Sequence, residues 1–158
     1  MIIKLLHSKY LFLVFIYLLI NETLSAQLIV SKLNDLSFGT VFKGYSSSVN
    51  HIDINAAKFY FNTGNLQNVN ILVQFVLPQY LTNNVNNLSI TFSTQQSAWS
   101  YKDLTTGRTN FNPYQPLRFN RLKKNTSVYI WMGATITVPT SIGSGLYNGT
   151  IIMNVERI

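Results

Sequence analysis

From residue 57 onward, apolar side chains recur at every second position, a period that a strand with one buried face satisfies and a helix does not. Phe59 and Phe61 alternate with Lys58, Tyr60 and Asn62, and Val69, Ile71, Val73 and Phe75 alternate with Asn70, Leu72 and Gln74. Leu88, Ile90 and Phe92 flank Ser89 and Thr91. Met132, Ala134, Ile136 and Val138 keep one parity, opposite Tyr129, Trp131, Gly133, Thr135 and Thr137. Ile151, Met153 and Val155 close the chain. Shorter candidates are Leu36 to Phe38, Val49 to Ile54 and Leu117 to Phe119. Turn chemistry punctuates these runs at Asn62-Thr63-Gly64-Asn65, Leu81-Thr82-Asn83-Asn84, Asn112-Pro113-Tyr114, Pro139-Thr140-Ser141 and Gly143-Ser144-Gly145. No window combines a helical period with a cap. The pattern predicts an all-β chain folded as an immunoglobulin-like antiparallel β-sandwich of about seven to eight strands. A closed barrel is the alternative. Residues 27–158 read as a single domain without repeats.

The first residues follow a different rule. Lys4, His7 and Lys9 precede an unbroken apolar run from Tyr10 to Ile20, and Thr23-Leu24-Ser25-Ala26 follows it. That order is the order of a secretory signal peptide over residues 1–26, and the run is shorter than the ~20 residues a membrane span needs. The expectation is an exported mature chain with no membrane span, in the periplasm, on the outer surface or outside the cell. Without Lys4, Lys9 and Glu22, the twelve basic and five acidic residues fall to ten and four, a net charge of +6. The chain has no cysteine, which excludes a disulfide scaffold, a thiolate metal site and a cysteine nucleophile. Export without cysteines suits a bacterial envelope.

Few residues offer chemistry. His51 is the only histidine after residue 26 and stands two positions from Asp53, so in a strand both would share a face. No serine lies in a nucleophile-elbow context, and Asp35, Asp53, Asp103 and Glu156 show no ligand spacing. No catalytic residue, metal ligand or cofactor is expected, and the chain reads as non-enzymatic. Arg118, Arg121, Lys123 and Lys124, with Arg108 nearby, form the one charge cluster, expected in a hairpin loop or its flank between two strands; it reads either as a solvated, solubilising loop or as an anion patch that would attract acidic envelope polymers. Nucleic acid is not an expected partner of an exported chain. Tyr129 with Trp131, and Trp99 with Tyr101, form aromatic pairs two residues apart, which on an exposed face could stack on sugar rings of envelope polysaccharide, while the commoner fate of such rings is cover by a loop or a neighbouring subunit. Residues 27–33, Gln27-Leu28-Ile29-Val30-Ser31-Lys32-Leu33, are a short apolar segment. They read either as the domain's own first strand or as a strand added to a second copy of the chain.

The C-terminal third carries a further pattern. The run Tyr129 to Pro139, followed by Gly145-Leu146-Tyr147-Asn148-Gly149-Thr150 and a last alternating strand, resembles the close of a bacterial exported domain family of unknown function. Leu36-Ser37-Phe38-Gly39 is similar to the opening motif of that family. The family in turn resembles spore coat protein U and chaperone-assembled pilus subunits, although Arg157 stands where pilus subunits carry a penultimate tyrosine. The resemblance implies a structural or adhesive role, as a pilus-like or coat-like subunit. A small carbohydrate- or envelope-binding module is the alternative. Physically, Gly145 and Gly149 are expected to supply backbone freedom around a turn, and Tyr147 a ring whose hydroxyl needs a partner.

Overall fold

The computed structural model describes residues 27–158, where the two-residue period becomes twelve strand segments and one short 3-10 turn, Thr94–Gln96. The strands are β1 Ile29–Asn34, β2 Ser46–Val49, β3 Ala57–Asn62, β4 Val69–Val76, β5 Tyr80–Thr82 and β6 Asn87–Thr91. They continue with β7 Ser97–Ser100, β8 Thr109–Asn110, β9 Leu117–Leu122, β10 Ser127–Met132, β11 Ala134–Thr137 and β12 Ile152–Arg157. The expected signal segment, residues 1–26, lies outside the described residues.

All pairings between strands are antiparallel. They build a five-stranded sheet in the order β1-β3-β10-β7-β8, a four-stranded sheet β2-β11-β6-β5 and a three-stranded sheet β12-β4-β9. Each sheet ends in two edges, so the fold is an all-β sandwich with open sheets and the barrel closure is not used. The segments outnumber the expected strands because β5 and β8 are three- and two-residue pieces, and because one long alternating run is cut in two. That cut is Gly133. A Cβ there would overlap the Val49 carbonyl oxygen, so only glycine lets the backbone of β2 approach this closely. Its N–H donates to the Gln96 carbonyl at 2.8 Å, and the chain passes from β10 in the five-stranded sheet to β11 in the four-stranded one.

The even parity predicted for the run holds across the break: Val128, Ile130, Met132, Ala134, Ile136 and Val138 are all buried. They join Phe59 and Phe61 of β3, Ile71 and Val73 of β4, Leu88 and Ile90 of β6 and Phe119 of β9 in one continuous core. Edge-to-face rings tie the sheets together, Phe61 on Phe119 at 5.4 Å and Trp99 on Phe119 at 4.9 Å between centroids. Each fully buried Phe or Ile stabilises the fold by about 2 kcal/mol relative to leaving it in water. Two short candidates resolve differently. Of the Val49 to Ile54 candidate only Val49, the last residue of β2, is strand, because Asp53 closes a turn there; its Oδ2 accepts the Asn50 N–H at 2.6 Å. Leu36 to Phe38 runs outside any strand.

Candidate functional site

The outer face of the five-stranded sheet concentrates aromatic and charged groups. Register places Tyr60 of β3 opposite Tyr129 of β10, and Lys58 opposite Trp131, so these four outward side chains form a two-by-two patch. Tyr60 and Tyr129 lie 5.1 Å apart and Tyr129 stacks on Trp131 at 6.0 Å and 27°. The Lys58 ammonium lies within 5.7 Å of both the Tyr129 and Trp131 rings and pairs with both oxygens of Asp103 at 2.6 and 2.7 Å. Burial raises the Tyr129 phenol above its usual range, with lesser contributions from Tyr60 and Asp103.

Trp131 points outward by parity, yet it is covered by a loop rather than open to solvent. It is 4% exposed because the loop after β7 folds back and sets the Arg108 guanidinium 3.6 Å from the centroid of the Trp131 ring. Arg108 is fixed there by donating from Nε to the Leu104 carbonyl at 2.7 Å and from Nη1 to the His51 carbonyl. The loop therefore covers the indole as a cation-capped lid. Arg108 consequently stands apart from the basic cluster with which the sequence grouped it. The second aromatic pair lies on the other side of the same sheet: Trp99 is opposite Ile130 in register and packs inward on Phe119, while Tyr101 beside it is 50% exposed. The four rings named from the sequence therefore do not make one sugar-stacking platform.

His51 and Asp53 do not share a strand face. Asp53 is engaged by the Asn50 turn, and His51 stands beside Arg108, whose Nη1 is 3.5 Å from His51 Nδ1. Burial and then the Arg108 charge hold the His51 imidazole below its ordinary pKa of 6.5, against a smaller opposite pull from Asp53. Among the described residues, no three His, Asp or Glu side chains converge as a metal site would require.

The basic side chains Arg118, Arg121, Lys123 and Lys124 are all exposed at one end of the three-stranded sheet. They do not sit in a hairpin, because β9 and β10 belong to different sheets and residues 123–126 turn the corner between them. Thr63, wholly buried, pins that corner by donating from Oγ1 to the Lys123 carbonyl at 2.7 Å and accepting the Thr126 N–H at 2.9 Å.

The turn from Gly145 to Gly149 forms as expected but for another reason at Gly149. The Tyr147 hydroxyl donates to the Gly143 carbonyl at 2.7 Å, and Asn148 bridges Thr82 through two backbone hydrogen bonds of 2.8 and 3.0 Å. Gly145, at φ +157°, adopts a backbone conformation that side-chain-bearing residues rarely take, whereas a Cβ on Gly149 would meet the tip of the Leu81 side chain at 2.7 Å and the Tyr80 carbonyl oxygen at 3.3 Å. The turn fastens the end of β5 before the chain enters β12 in the other sheet. Leu36 to Gly39 and Gly145 to Ile151 line a common cleft of about 550 Å³ with Phe59 and Ile90 in its floor.

Residues 27–33 mostly serve as β1, paired with β3 of the same chain from Ile29 opposite Asn62 onward. Its addition to a second copy would therefore use the free edge of β1 or an exchange of the whole strand. No helix among the described residues is long and apolar enough to cross a membrane. Sequence reasoning missed Lys58, Tyr60 and Asp103, whose partnership with Tyr129 and Trp131 depends on cross-strand register. No family model, curated protein or solved structure matches the chain.

Proposed function

We propose that the chain is an exported, non-enzymatic structural or adhesive subunit of a bacterial surface, a coat-like or pilus-like element that self-associates by pairing β1 with a sheet edge of a second copy. The observation that carries this reading is β1 itself. It is an edge strand of six residues, with Ile29, Val30 and Leu33 each about half exposed, at 51%, 45% and 49%. An edge strand of this length and apolar character presents unpaired N–H and C=O groups to any chain that can match them. Its one charge, Lys32, is spent on Asp35 at 2.7 Å. The likeness of Leu36 to Gly39 and Gly145 to Thr150 to an exported family related to coat and pilus subunits supports the same reading.

Size-exclusion chromatography with light scattering tests it. The expected result is oligomers that grow with protein concentration and that are replaced by monomer in Ile29→Lys combined with Leu33→Lys, with an unchanged circular dichroism spectrum. A native chain that stays monomeric at every concentration would sink the proposal.

A further inference from the structure

The end of the three-stranded sheet holds a residue in a conformation its type disfavours. Arg121 has φ +52°, in the left-handed region that glycine adopts freely and a β-substituted residue adopts at a cost. The cause is a β-bulge. β9 and β4 pair Phe119 with Ile71 and Leu122 with Val69, so Asn120 and Arg121 together oppose Asn70. The Asn70 side chain holds the bulge by accepting the Arg121 N–H on Oδ1 at 2.9 Å.

The consequence is one of direction. Without the bulge, the two-residue period would turn Arg121 to the same side as Phe119, which is buried. With it, Phe119 and Leu122 are buried, and Asn120 and Arg121 are both exposed beside Arg118. A strained backbone is thus maintained where it places a second guanidinium outside. Lys123 and Lys124 follow directly, on the corner pinned by Thr63, with the Lys124 N–H donating to Gln67 Oε1 at 3.3 Å. Arg157 pairs in register with Ile71, at the same end.

These cations have no internal use. Among the described residues the ion pairs are Lys32 with Asp35 and Lys58 with Asp103, and Asp53 serves its own turn. The remaining carboxylate side chain, Glu156, lies opposite Leu72, which lies opposite Arg118, so it is two strands away, about 10 Å at ordinary strand spacing. Exposed amides flank the cations on this sheet: Gln74 on β4, Asn120 on β9 and Asn154 on β12.

We infer that this ribbon, Arg118, Arg121, Lys123 and Lys124 with the flanking amides, binds an extended acidic polysaccharide. Guanidinium forks fit carboxylates in a two-point geometry, ammonium groups add unoriented charge, and amide side chains suit sugar hydroxyls. The inference is independent of self-association through β1.

Binding of the full chain to immobilised polygalacturonate, followed at several salt concentrations, tests it. The expected result is binding at about 50 mM salt that weakens at least about tenfold by about 200 mM, as displacement of several counterions requires. Arg118→Gln combined with Arg121→Gly should weaken binding at least about tenfold at the lower salt, in a protein that folds because glycine is at ease at φ +52°. Lys43→Gln combined with Lys102→Gln removes as much charge elsewhere and should leave binding unchanged. Three results would each overturn the inference. The first is no binding to polygalacturonate at low salt, and the second is equal losses in the two double variants. The third is equally tight binding to polyglutamate or to DNA, which would make the surface a general polyanion binder.

Discussion

At the scale of the residue, Arg108 decides what the outer face of the five-stranded sheet presents. Its guanidinium stacks on Trp131 at 3.6 Å and is anchored to the Leu104 and His51 carbonyls, so one side chain closes a loop over an indole. With Trp131 buried but Arg108 still partly open to solvent, this cation–π contact contributes about 1 kcal/mol. Arg108→Ala is expected to lower stability by about that amount and to shift tryptophan emission to the red as water reaches Trp131. Arg108→Lys should recover part of the stability, because it restores the charge without the planar fork. The same latch carries a pH dependence through His51. Its pKa is depressed in the folded chain by burial and by Arg108, so below its ordinary value of 6.5 the unfolded chain binds a proton that the folded chain resists. This contribution to stability is complete above that pH and is lost as the pH falls through it toward the lowered folded-state value. Melting temperatures measured across that window should fall with pH, and His51→Gln should flatten the slope. A slope unchanged in the variant would assign the dependence to other groups.

At the scale of the element, the existence and inward parity of the long alternating strands were legible, because each rests on a local period, whereas the short candidates Leu36 to Phe38 and Val49 to Ile54 lack the length to decide it. Val128, Ile130, Met132, Ala134, Ile136 and Val138 are buried as their spacing requires. Partnership was not legible. That Lys58 meets Trp131, or that Trp99 faces Phe119 while Trp131 faces away, is set by the register between strands distant in sequence. The outward parity of Trp131 was legible, and so was the common fate of such rings under a loop, but which loop covers it was not, since Arg108 comes from a segment that parity does not place. The bulge at Arg121 was equally hidden, because the side-chain acceptor that stabilises it belongs to another strand. Gly133 shows the same limit: the alternation runs through it unbroken, yet the chain changes sheets there. With a Cβ at this point overlapping the Val49 carbonyl, Gly133→Ala should cost at least about 3 kcal/mol, at the upper end of overpacking penalties. The check is denaturant unfolding, in which a loss under about 1 kcal/mol would mean that β2 yields easily at this crossing.

At the scale of the whole molecule, a cysteine-free chain with ten basic and four acidic residues between positions 27 and 158 must hold two sheet faces together by packing and pairing alone while carrying a net charge of +6. Part of that charge sits on the three-stranded sheet, whereas the apolar free edge belongs to the five-stranded one. The two surfaces therefore respond to salt with opposite signs. Copies that approach through β1 repel one another through their like net charge, and the ~10 Å screening length of 0.1 M salt shortens to ~3 Å at 1 M, so added salt weakens the repulsion while leaving apolar contact and backbone pairing in place. Acidic polymer binding loses its driving force under the same change. Light scattering should show larger assemblies as salt is raised from about 50 to 500 mM, while retention on polygalacturonate falls over the same interval. Assemblies that dissolve with salt in parallel with polymer release would mean that charge, and not the apolar edge of β1, holds the copies together.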